Sequence, residues 1–276
     1  MKINNNFDQI SKEKGNTYAV LVGISDYKYI NSLQYCDDDV KDIESALKNS
    51  KNWKDAKITE LLNEKATKKN INKAIEKYSG KLGPEDKFIF YYSGHGTNSW
   101  GKARLCPYNT SIFGTGLISE SDLKERFVSL AKDPNNPPQI GVMIDSCFSG
   151  GMIDGKADTN GKRSKFVEFK NSERNFKNSA KELSKVKNSV ILTASSASEV
   201  SYETDELKNG VFAYFLTEGF CLGENMGPAD ENMDNKISLE EAFNYTQSRV
   251  TNYKPLKNKQ HPQLCDNYAG EYIIKE

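Results

Sequence analysis

Two short stretches of the 276-residue chain hold side chains able to do covalent chemistry: Ser93-Gly94-His95-Gly96, and Asp145-Ser146-Cys147 followed by Phe148-Ser149-Gly150-Gly151. An imidazole beside a thiol can take its proton, and the thiolate so formed is the attacking species in acyl transfer. Glycines next to both residues let backbone N–H groups approach a developing oxyanion, where each donor is worth about 2.7–4 kcal/mol to the transition state. Gly96 and Cys147 are the expected donors. Taken singly, a cysteine at a strand end is more often packing, and a histidine in a turn more often a polar loop residue. The pair reads differently, because the chain has only two histidines and one of them lies between glycines directly after an apolar run.

His95 and Cys147 are 147 − 95 = 52 residues apart, so only tertiary structure can bring them together. The elements around them supply a way. Near-continuous apolar runs at Tyr18–Ile24, Lys87–Tyr92, Ile140–Ile144 and Ser189–Thr193 read as strands covered on both faces, and Ile58–Leu62 as a weaker strand at an edge. Between and after them, apolar residues recur at helical spacing around Val40, Ile71 and Leu123, then from Gly210 to Leu216 and from Leu239 to Tyr253, and Tyr272–Ile274 reads as a final strand. Strand and helix in alternation define a doubly wound parallel sheet, whose ligands bind outside the carboxyl ends of the strands. Two such ends carry His95 and Cys147, and in adjacent parallel strands they would lie side by side.

The alternation fails from Lys156 to Asn188, a polar, lysine-rich stretch that reads as a mobile linker between two halves of one sheet. The expected organisation is a polar N-terminal segment (1–16), a large portion (17–155), the basic linker (156–188) and a small C-terminal portion (189–276).

Charge steers the chain toward no particular partner. Lysine plus arginine equals aspartate plus glutamate at 38 each, so there is no net field favouring nucleic acid or an anionic membrane surface. The N-terminal stretch lacks the apolar core of a secretory leader, and no apolar run reaches membrane length. Five dispersed cysteines without a CxxC pair argue against a disulfide framework and a zinc site, so reduced thiols in a cytoplasm are expected.

One segment has the order of an EF-hand-type calcium loop. Asp230, Asn232, Asp234, the Lys236 carbonyl, Ser238 and Glu241 fall at ligand positions 1, 3, 5, 7, 9 and 12, with Ile237 as the central apolar residue. The competing reading is a helix N-terminus, with Ser238 as cap and Glu241 completing a capping box.

The paired motifs "YYSGHG" and "MIDSCFSGG", preceded by "YAVLVGISDY" and "LQYCDDDVKDIESAL", resemble the caspase-like cysteine peptidases (family C14). They are nearer to metacaspases and their bacterial relatives than to animal caspases, and the resemblance runs from about Tyr18 to Tyr253. It implies a three-layer α/β sandwich around a mainly parallel sheet of about six strands. It also implies His95 as general base, Cys147 as nucleophile, and Gly96 with Cys147 as oxyanion hole. An S1 pocket would be built from Cys36, Asp39, Ser93 and Asp145, and its two carboxylates suit an arginine or lysine before the scissile bond. Of the neighbouring acids, Asp37 and Asp38 also fit a helix N-terminus. The chain departs from the metacaspase pattern at Phe148, where a histidine is usual. It departs again at Asn109, Glu120 and Ser121, where a regulatory calcium site would call for aspartates.

The expectation is thus a cysteine endopeptidase that cleaves protein or peptide substrates after Arg or Lys. It needs no cofactor for its chemistry, takes calcium as a regulatory or structural ion, and has no nucleic-acid or membrane partner. Lys162, Arg163, Lys165 and Arg174 make the linker a candidate for self-cleavage. A non-catalytic interaction module of the same fold and another type of cysteine hydrolase are the rivals. Retention of both reactive residues and the acidic pocket weighs against the first, and the acidic pocket against an esterase.

Overall fold

The apolar runs form strands, and their hydrogen-bonding order sets the site. In this computed structural model, residues 15–99, 102–147, 161–165, 181–196, 199–221, 228–256 and 258–276 are described. The strands are β1 (Thr17–Gly23), β2 (Lys57–Leu62), β3 (Lys87–Ser93), β4 (Gly96–Ser99), β5 (Lys102–Leu105), β6 (Ile118–Ser119) and β7 (Gln139–Asp145). They continue with β8 (Lys162–Ser164), β9 (Ser189–Thr193), β10 (Tyr202–Thr204), β11 (Asn209–Gly210), β12 (Ile237–Ser238), β13 (Gln263–Asp266) and β14 (Ile273–Lys275). The α-helices are α1 (Cys36–Lys48), α2 (Lys68–Glu76), α3 (Glu120–Ser129), α4 (Val211–Cys221) and α5 (Leu239–Asn252).

The main sheet has the order β13-β9-β7-β3-β1-β2, parallel throughout except for β13. Alternation along each strand divides its side chains between two cores. Val20, Val22, Phe88, Phe90, Val142 and Ile144 pack with Ile71 and Ile75 of α2 and with Leu123 and Phe127 of α3. Ala19, Leu21, Ile89, Tyr91 and Met143 pack on the other face with Ile43 of α1, Phe212 of α4 and Leu239 of α5. Both faces are therefore covered, as the unbroken apolar runs require, and the result is the expected three-layer α/β sandwich. The expected edge strand, β2, does lie at an edge.

Two elements differ from the sequence reading. The terminal strand β14 pairs antiparallel with β12 in a ribbon of its own, and β13 closes the main sheet instead. Half of β13 is polar, which leaves too little apolar pattern to announce a strand. The second difference concerns the 156–188 linker. Its residues 162–164 form β8, which pairs antiparallel with β10, and Lys165 is fully buried. For 161–165 the mobile-linker reading therefore does not hold, because Lys165 is drawn to carboxylates that come from distant parts of the chain. Residues 156–160 and 166–180, with Arg174, lie outside the described residues, as do 1–14 and Phe148–Gly151. Among the described residues no helix is long and apolar enough to cross a membrane.

Candidate active site

Strands β3 and β7 are in parallel register with Ser93 opposite Asp145, so the turns that follow them emerge together at the carboxyl edge of the sheet. His95 and Cys147 lie in these two turns, two residues beyond Ser93 and Asp145, and both are fully buried. The fit is tight: a Cβ on Gly96 would collide with the Cys147 carbonyl oxygen and Ser146 Oγ, so only glycine lets the two turns approach.

His95 is held from several directions. Its backbone N–H donates to Tyr27 Oη at 2.7 Å, and its carbonyl accepts from Tyr92 Oη at 2.8 Å. Its ring lies 4.8 Å from that of Tyr27, and Nε2 is 2.7 Å from the Asn31 carbonyl. A carbonyl can only accept, so Nε2 carries the proton and Nδ1 is left as a bare acceptor. Among the described residues Nδ1 makes no hydrogen bond of ordinary geometry, and the Lys165 backbone lies close enough to raise the imidazole against the larger effect of burial. Burial pushes the imidazole down to about 4.

The Cys147 thiol sits between the two polar groups of one peptide residue. Ser201 N–H donates to Sγ at 2.7 Å, and Sγ lies 3.1 Å from the Ser201 carbonyl, which accepts from the thiol. Burial pushes this thiol up to about 12. In the enclosed arrangement described here both reactive groups are therefore neutral.

The four expected pocket residues are all fully buried, and three of them converge on one cation. That cation is Lys165 of the chain itself. Its Nζ lies 3.1 Å from Asp39 Oδ2 and 3.0 Å from Asp145 Oδ2, and donates to Ser93 Oγ at 2.8 Å. Burial alone would lower the lysine, but the Asp145 and Asp39 carboxylates outweigh it and hold the ammonium well above its ordinary value. Burial pushes the Asp145 carboxyl up, against the opposing pull of Lys165. Cys36, the fourth residue, faces Glu203 Oε2 at 3.9 Å rather than bonding to the lysine. Asp37 and Asp38 play no part in the pocket. The first bonds to Ser25 Oγ, and the second pairs with Lys41 at 2.9 Å on the exposed side of α1.

The backbone of Lys165 is fixed as firmly as its side chain. Its N–H donates to the Ser201 carbonyl at 3.0 Å, and its carbonyl accepts from Gly96 N–H at 2.9 Å. The lysine carbonyl thus rests on the donor expected to stabilise an oxyanion, one residue removed from a strand that pairs with β10.

Sequence reasoning missed several residues here. Ser201 orients both the thiol and Asp145, to which its hydroxyl donates at 2.5 Å. Asn209 Nδ2 and Gly210 N–H donate to Asp39 Oδ1 at 3.1 and 2.8 Å. A Cβ on Gly210 would collide with Asp145 Oδ2 and Lys165 Nζ, so this glycine forms the back wall of the pocket. Lys165 was named only as one of several basic residues in the linker. No periodicity or spacing links any of these to β3 or β7.

The segment 230–241 lies apart from this edge. Asp230 accepts from the backbone N–H of Asp234 and Asn235, Asn232 from that of Asp234, and Asp234 from that of Lys236. Asn235 takes the left-handed conformation (φ 63°) expected at the sixth loop position. Ser238 caps α5 in a full capping box, and Glu241 Oε2 accepts from Ser238 N–H at 3.0 Å. Among the described residues no three His, Cys, Asp or Glu side chains are placed to hold a metal ion. The turn chain has the order of a calcium loop, and in this arrangement its carboxylates accept from backbone donors while Glu241 serves the cap of α5.

The caspase domain family (peptidase C14) matches residues 16–271, nearly the whole chain, and the chain belongs to that family. Among curated proteins it is 30% identical over 148 residues to metacaspase-7 of Arabidopsis thaliana, a match covering 49% of this chain and 35% of that protein. It is 30% identical over 156 residues to metacaspase-1 of Meyerozyma guilliermondii, covering 53% and 38%. The matches thus span little more than a third of these relatives. A crystal structure of a Geobacter sulfurreducens protein shares the fold, with a TM-score of 0.65 at 18% identity over 90% of this chain and 92% of that one.

Proposed function

We propose that the chain is a cysteine endopeptidase that cleaves after lysine or arginine, with Cys147 as nucleophile and His95 as general base, and that its own Lys165–Phe166 bond is a substrate. The observation that carries this reading is Lys165 itself: a buried ammonium between two carboxylates, on a backbone whose carbonyl accepts from Gly96 N–H. A scaffold protein has no use for such an arrangement, since a buried ion pair seldom stabilises more than apolar packing would.

His95 Nδ1 takes the thiol proton, and Cys147 Sγ attacks the carbonyl carbon of the lysine. Gly96 N–H, with the N–H of Cys147, receives the negative charge on the carbonyl oxygen. The bond to the Phe166 nitrogen breaks, the imidazolium returns its proton to that amine, and water hydrolyses the thioester. Asp39, Asp145 and Ser93 hold the side chain so that this carbonyl and no other is presented.

The test is mass spectrometry of the purified chain after incubation, beside Lys165→Ala. Wild type is expected to divide after Lys165, while Lys165→Ala stays whole at that bond and still hydrolyses added peptides with Lys or Arg before the scissile bond. An intact wild-type chain together with no turnover of basic peptides would sink the reading.

We further propose that calcium binds the 230–241 loop, drawing Glu241 away from the helix cap. Titration calorimetry is expected to show binding that weakens at least tenfold in Glu241→Ala. If no binding heat is seen, or the affinity is unchanged, the loop is a cap only. Ser238→Ala would then cost about 1 kcal/mol in urea unfolding, with or without calcium.

A further inference from the structure

The strand that carries Lys165 into the pocket also places a second basic side chain in a site of its own. Arg163 is the third residue before the Lys165–Phe166 bond. Its Nη1 donates to Asp205 Oδ1 at 2.6 Å, its Nε lies 3.9 Å from Glu203 Oε1, and its guanidinium stands 5.9 Å over the ring of Tyr35. Asp205 is exposed, but it and Glu203 are fixed by further hydrogen bonds. Tyr35 Oη donates to Asp205 Oδ1 at 2.9 Å. Glu203 is fully buried, and its two oxygens accept from the backbone N–H groups of Gln34 and Tyr35 at 2.8 and 3.1 Å. The Arg163 hydrogen bond holds the Asp205 carboxyl below its usual range, whereas burial pushes Glu203 up to about 7. Asp205 is therefore the standing charge, and Glu203 adds to it as it ionises. Between the two basic residues, Ser164 is buried with its Oγ 4.0 Å from Cys147 Sγ, leaving room for a small side chain only.

We propose that Tyr35, Glu203 and Asp205 form a second specificity pocket, which selects arginine at the third residue before the scissile bond, so that the preferred substrates are segments of the form Arg-small-Lys/Arg. The inference rests on the reading of Lys165 as a bound substrate residue, because it takes β8 to lie where a substrate strand lies. The register supports this: Arg163 pairs with Glu203 and Ser164 with Tyr202 across an antiparallel ladder, which any extended peptide can form through its backbone. Arginine suits the site better than lysine, since a planar guanidinium can lie over an aromatic ring while its N–H groups reach a carboxylate beside it.

The experiment uses the Arg163→Ala/Lys165→Ala chain, in which neither pocket is filled by the chain's own basic side chains, and peptides of the form Gly-Lys-Xaa-Ser-Lys-Phe-Val-Glu. With Xaa as Arg, Lys, Gln or Glu, kcat/KM is expected to fall in that order, Arg exceeding Gln by about 10- to 100-fold. In Asp205→Asn the Arg-to-Gln ratio should collapse to within about threefold, a change in selectivity that a general loss of folding would not produce. Equal turnover of the Arg and Gln peptides, with Lys still required before the scissile bond, overturns the second pocket and leaves the proposed function standing. No cleavage of any of these peptides overturns both.

Discussion

Replacing Cys147 by alanine is expected to remove the proposed turnover of basic peptides by on the order of 10⁴-fold or more and to leave the Lys165–Phe166 bond whole, while urea unfolding shifts little. The size of the effect follows from the mechanism: a methyl group cannot attack a carbonyl. The state of the thiol adds a second, independent measurement. Burial pushes Cys147 up to about 12, and the hydrogen bond from Ser201 N–H together with the one to its carbonyl holds the thiol in place. At pH 8 the buried thiol is therefore almost wholly protonated. Carbamidomethylation of the uncleaved chain at Cys147 is therefore expected to be slow at pH 8 and to rise about tenfold per pH unit. Once the chain is cut and the Lys165 strand leaves, water reaches the thiol, its burial penalty falls, and labelling at pH 8 accelerates at least tenfold. Equal turnover by wild type and Cys147→Ala would end the assignment of Cys147 as nucleophile. Rapid labelling of uncut chain would show instead that the enclosed arrangement does not suppress the thiolate.

The second large effect lies in the pocket floor. Asp145→Ala leaves a buried ammonium with half its countercharge, and removal of one partner from such a pair costs about 3–5 kcal/mol. For peptide substrates with Lys or Arg before the scissile bond this becomes a loss of roughly two to four decades in kcat/KM. In the uncut chain the same substitution should weaken docking of Lys165 and expose the 161–165 strand to added protease. Arginine should outperform lysine, because its planar fork can engage a carboxylate at two points. Aspartate in that position would meet Asp39 and Asp145 in a desolvated site and should not be cleaved at a measurable rate. The measurement is kcat/KM on matched peptides with Arg, Lys, Asp or Leu before the scissile bond. A preference for Asp or Leu would overturn the basic-specificity reading, and with it the role given to Lys165.

The sequence by itself determined much of the architecture. Apolar runs such as Tyr18–Ile24 and Ile140–Ile144 can be satisfied only by a sheet covered on both faces, and the amphipathic stretches around Ile43, Ile71 and Leu123 supply the covering helices. The two strand ends that carry His95 and Cys147 were legible for the same reason, since the chemistry of a Gly-His-Gly turn and a Ser-Cys turn is written in adjacent residues. The acidic pair Asp39 and Asp145 was legible through family resemblance.

Only the tertiary structure decided what fills the pocket and what surrounds it. Lys165 lies in a polar, lysine-rich stretch with no periodicity, where nothing local distinguishes it from Lys162 or Lys156. It becomes singular because two carboxylates from α1 and β7, 126 and 20 residues away (165 − 39 and 165 − 145), leave a buried negative site that one ammonium must neutralise. Gly210, Ser201 and the Tyr35–Glu203–Asp205 cluster are similarly silent in sequence. Their roles are set by contacts between segments far apart along the chain, and one-dimensional spacing carries information only about neighbours on the same helix or strand.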